Sequence, residues 1–163
     1  MNDDHRALWE KLRHFRFGML TTVDDQHQQL RSRPLTNQDI EFDGTLWFLT
    51  SDTTSTYREI DRDHLVNVSY ADPDRGLFVS VSGHGRLLRD REKAATLWNP
   101  LYKAFFPEGL DDPHLVLLKV EVTEAEYWDS PAGPVRQLYR LAKSAVTGEP
   151  PYDDTEHRRI DTL

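Results

Sequence analysis

The chain contains no cysteine. That excludes disulfide bridges, thiolate metal sites and thiol nucleophiles outright. It also lacks a long apolar run. The N-terminus, Met1-Asn2-Asp3-Asp4-His5-Arg6, opens on acids and polar groups, so neither a secretory signal nor a membrane span is expected, and the default location is the cytoplasm. Positive charge is in deficit: 20 Lys and Arg stand against 28 Asp and Glu, a formal net charge of -8. An acidic surface repels nucleic acid and anionic lipid, so neither is expected as a global partner. A local basic spot can still attract a small anion. Gly-x-Gly-x-x-Gly, Walker and Gly-x-Ser-x-Gly motifs are all missing. The histidines at 5, 14, 27, 64, 84, 114 and 157 form no His-x-x-x-His or His-x-His pair, and no metal site is expected from them.

What is present suits a single folded domain. A chain of 163 residues buries roughly 70% of the surface its unfolded form exposes, enough for a core without staples. Leu8, Trp9 and Leu12 have helical spacing, which predicts a helix over Ala7 to His14. Phe17 to Val23 and Gln28 to Leu35 read as a hairpin, with Pro34 at an edge because it cannot donate to a ladder. Asp43-Gly44 marks a turn into a strand over Thr45 to Thr50. Thr56 and Glu59 have capping-box spacing, predicting a short helix through Ile60. His64 to Tyr70 alternates like a half-buried strand. Leu77 to Leu88 is a long strand, and Gly83 and Gly85 inside it signal a bulge or a close backbone approach. Asp90 is a candidate N-cap for a helix from Arg91 to Trp98. An aromatic loop follows, then a strand from Leu115 to Val122 that extends toward Trp128. Val135 to Val146 reads as a last amphipathic helix. From Gly148 the chain is polar, acidic and proline-bearing, and a mobile tail is expected. The division is therefore a domain over 1–147 and a tail over 148–163. About six strands with few helices point to a mainly β fold, a small antiparallel barrel with attached helices.

Three segments carry candidate chemistry. Arg31 and Arg33 lie two apart on a strand and share a face, presenting two guanidinium forks that match phosphate oxygens. The plainer alternative is a solvated strand face with surface ion pairs, and taken alone it is the favoured one. The run Thr50-Ser51-Asp52-Thr53-Thr54-Ser55-Thr56 leaves a strand and enters a helix, where free N–H groups and the helix dipole favour anions. Capping by Thr56 needs no ligand and is compatible with that role. Trp98, Tyr102, Phe105 and Phe106 offer a stacking surface for a planar ring. They equally make a hydrophobic cluster under a loop, the commoner use of aromatics. No residue announces itself as a general acid or base, so the catalytic residues, if any, stay unassigned.

In chain order, several short motifs resemble one family. They are Phe17-Gly18-Met19-Leu20-Thr21-Thr22, Arg31-Ser32-Arg33-Pro34-Leu35, Leu46-Trp47-Phe48-Leu49-Thr50-Ser51, Val66-Asn67-Val68-Ser69-Tyr70 and Val79-Ser80-Val81-Ser82-Gly83. Trp98-Asn99-Pro100-Leu101, Phe105-Phe106-Pro107-Glu108-Gly109 and Glu126-Tyr127-Trp128-Asp129 continue the series. Together they resemble the general stress protein branch of the pyridoxamine phosphate oxidase-like proteins, over about residues 7 to 147. The resemblance implies an antiparallel split β-barrel, the FMN-binding split barrel, that forms a homodimer with FMN in a groove between subunits. It implies that Arg31, Ser32, Arg33 and Pro34, with Thr50, Ser51, Thr54 and Thr56, hold the phosphate and ribityl chain. It places the backbone near Phe48 and Leu49 along the flavin ring, and brings Trp98 to the ring from the partner subunit. The chain departs from the pattern at Thr56, where the family usually has a lysine. Arg58 is a substitute of different projection. The function implied is an FMN-binding stress-type protein and possible flavin oxidoreductase. A flavin storage or sensing module, a deazaflavin-dependent reductase of the same fold and a ligand-free dimerisation module are the alternatives. The substrate is not indicated.

Overall fold

The computed structural model describes residues 3–24, 26, 28–130, 142, 145–146, 148 and 156–161. Its strands are β1 (Phe17–Val23), β2 (Leu30–Thr36), β3 (Thr45–Ser51), β4 (Leu65–Asp72), β5 (Leu77–Leu88), β6 (Leu115–Asp129) and β7 (Glu156–Asp161). Its α-helices are α1 (Asp3–Leu12), α2 (Ser55–Arg62) and α3 (Arg91–Leu97). Two short 3-10 helices, Pro100–Ala104 and Gly109–Asp111, shape the aromatic loop. The expected helix over Val135 to Val146 lies mostly outside the described residues.

All ladders are antiparallel, and the sheet runs β2-β1-β4-β5-β6-β3. The end strands β2 and β3 approach each other without sharing a ladder. The result is a barrel left split along one side, the fold expected from the sequence. The expected hairpin is β1 with β2, and Pro34 faces Met19 on the end strand, where a missing donor costs nothing.

Strand alternation builds the core. Leu20, Phe48, Val68, Val79, Val81, Leu118, Val120 and Tyr127 all point inward and are buried. Leu8 and Leu12 of α1 and Ile60 of α2 plug the barrel. A second cluster lies outside β3 and β6, where α3 and the aromatic loop cover Leu49, Leu115 and Leu117 with Leu97, Tyr102 and Phe106. Strand β3 is therefore buried on both faces.

The glycine signal in β5 is structural. The β5–β6 register shifts between Ser82 and Gly83, and a Cβ at Gly83 would sit 2.3 Å from the Glu121 carbonyl oxygen. No side chain fits there, which fixes the bulge.

Within the expected mobile tail over 148–163, residues Glu156–Asp161 form strand β7 instead. It pairs with the second half of β6, from Glu124↔Asp161 to Asp129↔Glu156, on the edge whose first half carries β3. Ile160 enters the core, and charged contacts hold the rest. Arg159 pairs with Glu124 at 2.7 Å, Arg158 reaches Asp4 of α1, and His157 stacks on Trp128 with ring centroids 5.2 Å apart.

Candidate functional site

The β2 segment divides by face. Arg31 and Arg33 point toward α2, as their spacing requires, whereas Ser32 and Pro34 point outward. The Ser32 hydroxyl shares a hydrogen bond of 2.8 Å with Thr21 Oγ1, and Pro34 lies beside the exposed Met19. The four residues expected to act together thus occupy two surfaces, and a single bound group meets either the arginines or the Ser32–Pro34 face.

The arginines are not bare. Arg33 donates through Nη1 to Thr22 Oγ1 at 2.5 Å and through Nη2 to Glu59 Oε2 at 2.7 Å. Arg31 Nη1 donates to Asp24 Oδ2 at 3.1 Å and lies 3.6 Å from Glu59 Oε1. Thr22 in turn donates to Glu59 Oε2 at 2.5 Å. Glu59 is 1% exposed, and its Oε1 is buried without a hydrogen-bond partner. Arg31 keeps 54% of its side chain exposed and Arg33 19%. Two cations and two carboxylates therefore make a nearly neutral cluster between β1, β2 and α2.

This arrangement corrects the expected helix start. Thr54, not Thr56, is the N-cap of α2. Its Oγ1 accepts from the Tyr57 N–H at 3.3 Å and donates to the Ser51 carbonyl at 2.7 Å. Thr56 lies inside the first turn and is 4% exposed. With Thr54 as the cap, the capping-box position falls on Tyr57, and Glu59, two residues further on, gives its carboxylate to Thr22 and Arg33 instead.

The loop between β3 and α2 is pinned from outside. Asp52 Oδ1 meets His114 Nδ1 at 2.8 Å. Asp52 also pairs with Arg89, whose guanidinium donates to the Pro113 and Leu115 carbonyls at 2.7 and 3.0 Å. The His114 hydrogen bond holds the Asp52 carboxyl below its ordinary value against a desolvation effect of opposite sign, and Arg89 adds to the lowering. Ser51 and Thr53 share a hydrogen bond of 2.9 Å at the surface. Their hydroxyls and the α2 N-terminus form a donor-rich rim.

Phe48 lies in the barrel core, Leu49 in the second cluster, and Thr50 is buried between them. Their side chains are thus occupied. As an end strand, β3 keeps backbone N–H and C=O groups on its open side, facing the split. Trp98 sits apart from the arginines, partly exposed in the second cluster, with its ring 5.8 Å from that of Tyr102. Beside this cluster, a groove of about 350 Å³ is lined by Phe17, Asn99, Leu101, Tyr102 and Phe105. Leu101 and Phe105 are among the most exposed apolar side chains described. A second groove, about 770 Å³, runs past Tyr57, Ile60, His64, Leu65, His84 and Arg86 on the other flank of α2. Tyr102 and Phe105 of the candidate stacking cluster line the first groove, whereas none of the residues expected to hold the flavin lines either one.

Sequence reasoning missed Thr22, Asp24 and Glu59. The signal for Glu59 was on the page. Two arginines on an inward strand face require counter-charge, and a carboxylate on the helix packed against that face is the nearest source.

An antiparallel sheet left open between β2 and β3, with a helix at its side, defines the split-barrel class. The sequence profile of the pyridoxamine 5'-phosphate oxidase like family matches residues 3–153, and the chain belongs to that family. Among solved structures, a chain from Jannaschia sp. CCS1 assigned to general stress protein 26 superposes with a TM-score of 0.78 at 27% identity, covering 99% of both chains. A general stress FMN/FAD binding protein from Xanthomonas citri superposes with a TM-score of 0.66 at 27% identity, covering 77% of this chain and 87% of its own. Protein bli-3 of Neurospora crassa is 28% identical over 144 residues, 83% of this chain and 69% of its own length. The chain is thus a general stress-type member of the family with flavin-binding neighbours. No described helix is long and apolar enough to cross a membrane, and no group of three metal-ligating side chains occurs among the described residues.

Proposed function

We propose that the chain is an FMN-binding protein that works as a homodimer, with the flavin in a groove that a second copy completes. The observation that carries this reading is the pair of guanidinium forks, Arg31 and Arg33, on one face of an end strand beside the rim of α2. Forks, hydroxyls and helix N–H groups suit the phosphate and ribityl chain in kind. The open edge of β3 offers main-chain donors and acceptors to the polar edge of a flavin ring. The flavin-binding neighbour from Xanthomonas citri supports the same ligand class.

The dimer reading rests on exposed apolar surface. Phe17 and Met19 on β1, Phe78 on β5, and Leu101 and Phe105 in the aromatic loop lie outside the core. Partner burial would cover them, and symmetric dimers are the commonest oligomer. On this reading the partner's Trp98, not the same chain's, would stack on the ring.

A bound flavin supplies hydride or single-electron transfer. Residues of β3 would orient the ring, and those of β2 and the start of α2 would hold the tail. On this reading the chain is a flavin oxidoreductase. Three measurements test the proposal. The chain purified or reconstituted with FMN should absorb in the blue, light scattering should give twice the 19.0 kDa chain mass, and the complex should oxidise a reduced nicotinamide. A monomer that takes up no flavin would overturn the reading. A flavin-loaded dimer without turnover would leave a storage or sensing protein.

A further inference from the structure

The cluster at β2 bears on which flavins the site accepts. A phosphate dianion approaching Arg31 and Arg33 meets Glu59 and Asp24 already on those cations. Glu59 cannot swing into solvent. It is 1% exposed, comes from a helix whose Ile60 plugs the barrel, and is tied to Thr22 and Arg33 by bonds of 2.5 and 2.7 Å. The first three residues of α2, Ser55-Thr56-Tyr57, carry no cation, and Arg58 at the next position makes no contact with the Glu59 cluster among those described. Attraction by two guanidinium groups is therefore opposed by repulsion from the two carboxylates paired with them. One Glu59 oxygen, Oε1, has no hydrogen-bond partner among the described residues and only the Arg31 Nη1 at 3.6 Å as a counter-charge.

We infer that Glu59 is a specificity-determining residue: it stands as an internal counter-ion in place of phosphate, so the site takes flavins with little regard for the 5'-phosphate. The ligand class then includes dephosphorylated flavins with neutral polyol tails as well as FMN. The inference rests on the flavin reading above, but its electrostatic core can be tested without a flavin.

Glu59→Gln keeps the shape and the acceptor for Thr22 and removes the charge. The parent protein should bind riboflavin and FMN with dissociation constants within about tenfold of each other, because the phosphate gains little net interaction. Glu59→Gln should tighten FMN by about tenfold or more, the size of a gained charge-assisted hydrogen bond, and leave riboflavin unchanged. A structural role alone would move both ligands together. Asp24→Asn, at a less buried carboxylate, should shift the same ratio in the same direction and serves if Glu59→Gln does not fold. Calorimetric titration with inorganic phosphate separates the two readings. Phosphate that binds Glu59→Gln and not the parent supports the counter-ion even if no flavin binds, and in that case the flavin reading alone fails. The inference is overturned if the parent prefers FMN by more than about tenfold. It is equally overturned if neither substitution changes the FMN-to-riboflavin ratio or phosphate binding.

Discussion

Removing Arg33 should destabilise the fold through the carboxylate it leaves behind. In Arg33→Met, Glu59 keeps the Thr22 hydroxyl at 2.5 Å and the more distant Arg31 Nη1 at 3.6 Å, but loses the 2.7 Å bond from Arg33. Breaking a buried ion pair from one side costs about 3–5 kcal/mol. Arg31 gives partial relief, so the low end, about 3 kcal/mol, is expected. For a domain of this size that corresponds to a melting temperature lower by about 6–12 °C. Neutralising Glu59 in the same chain should recover most of the loss, because no bare charge then remains in the barrel wall. The assay is a double-mutant cycle with Arg33→Met, Glu59→Gln and the double variant, unfolded in urea and followed by tryptophan fluorescence. A coupling energy of about 2 kcal/mol or more is expected. Additive single effects would refute the buried pair and show that Arg33 faces water.

Three further outcomes follow from the described contacts. Thr54→Ala should cost about 0.5–2 kcal/mol by chemical denaturation, since it removes the N-cap of α2. Ile160→Ala should cost about 2–5 kcal/mol and speed amide exchange at Glu124 to Asp129, because Ile160 is the buried apolar anchor of β7. Asp52 should titrate below 3.8 in an NMR pH series, and His114→Gln should move its midpoint back toward that value. Because the folded value is depressed, the Asp52 contribution to stability is present above pH 3.8 and is lost as pH falls through the folded midpoint.

Strands that alternate cleanly were legible to the residue. Phe17–Val23 and Leu77–Leu88 have the boundaries that their apolar alternation predicts, and Asp90 caps α3 through its bond to the Lys93 N–H. Strand β7 was not legible. Glu156–Asp161 carries one apolar residue among charges, and its extended form depends on the free edge of β6 and on the acids Glu124 and Glu126 waiting there. The helix cap was misplaced by two residues because Thr54 and Thr56 are chemically alike. The choice was made by packing, which turns Thr56 inward. The arginine face was legible and its counter-ions were not, since Thr22, Asp24 and Glu59 join it only across three elements.

Strand β6 serves three neighbours, with β5 along one edge and β3 and β7 end to end along the other. A ribosome makes these strands in sequence. β3 carries Leu46, Phe48 and Leu49, and its ladder partner among the described strands follows only after α2, β4, β5 and α3. During that interval β1, β2, β4 and β5 can assemble as a four-stranded sheet, while β3 stays a tethered apolar segment suited to chaperone capture. The barrel wall is therefore complete only once β6 has been made, since β6 alone joins β3 to the rest of the described sheet.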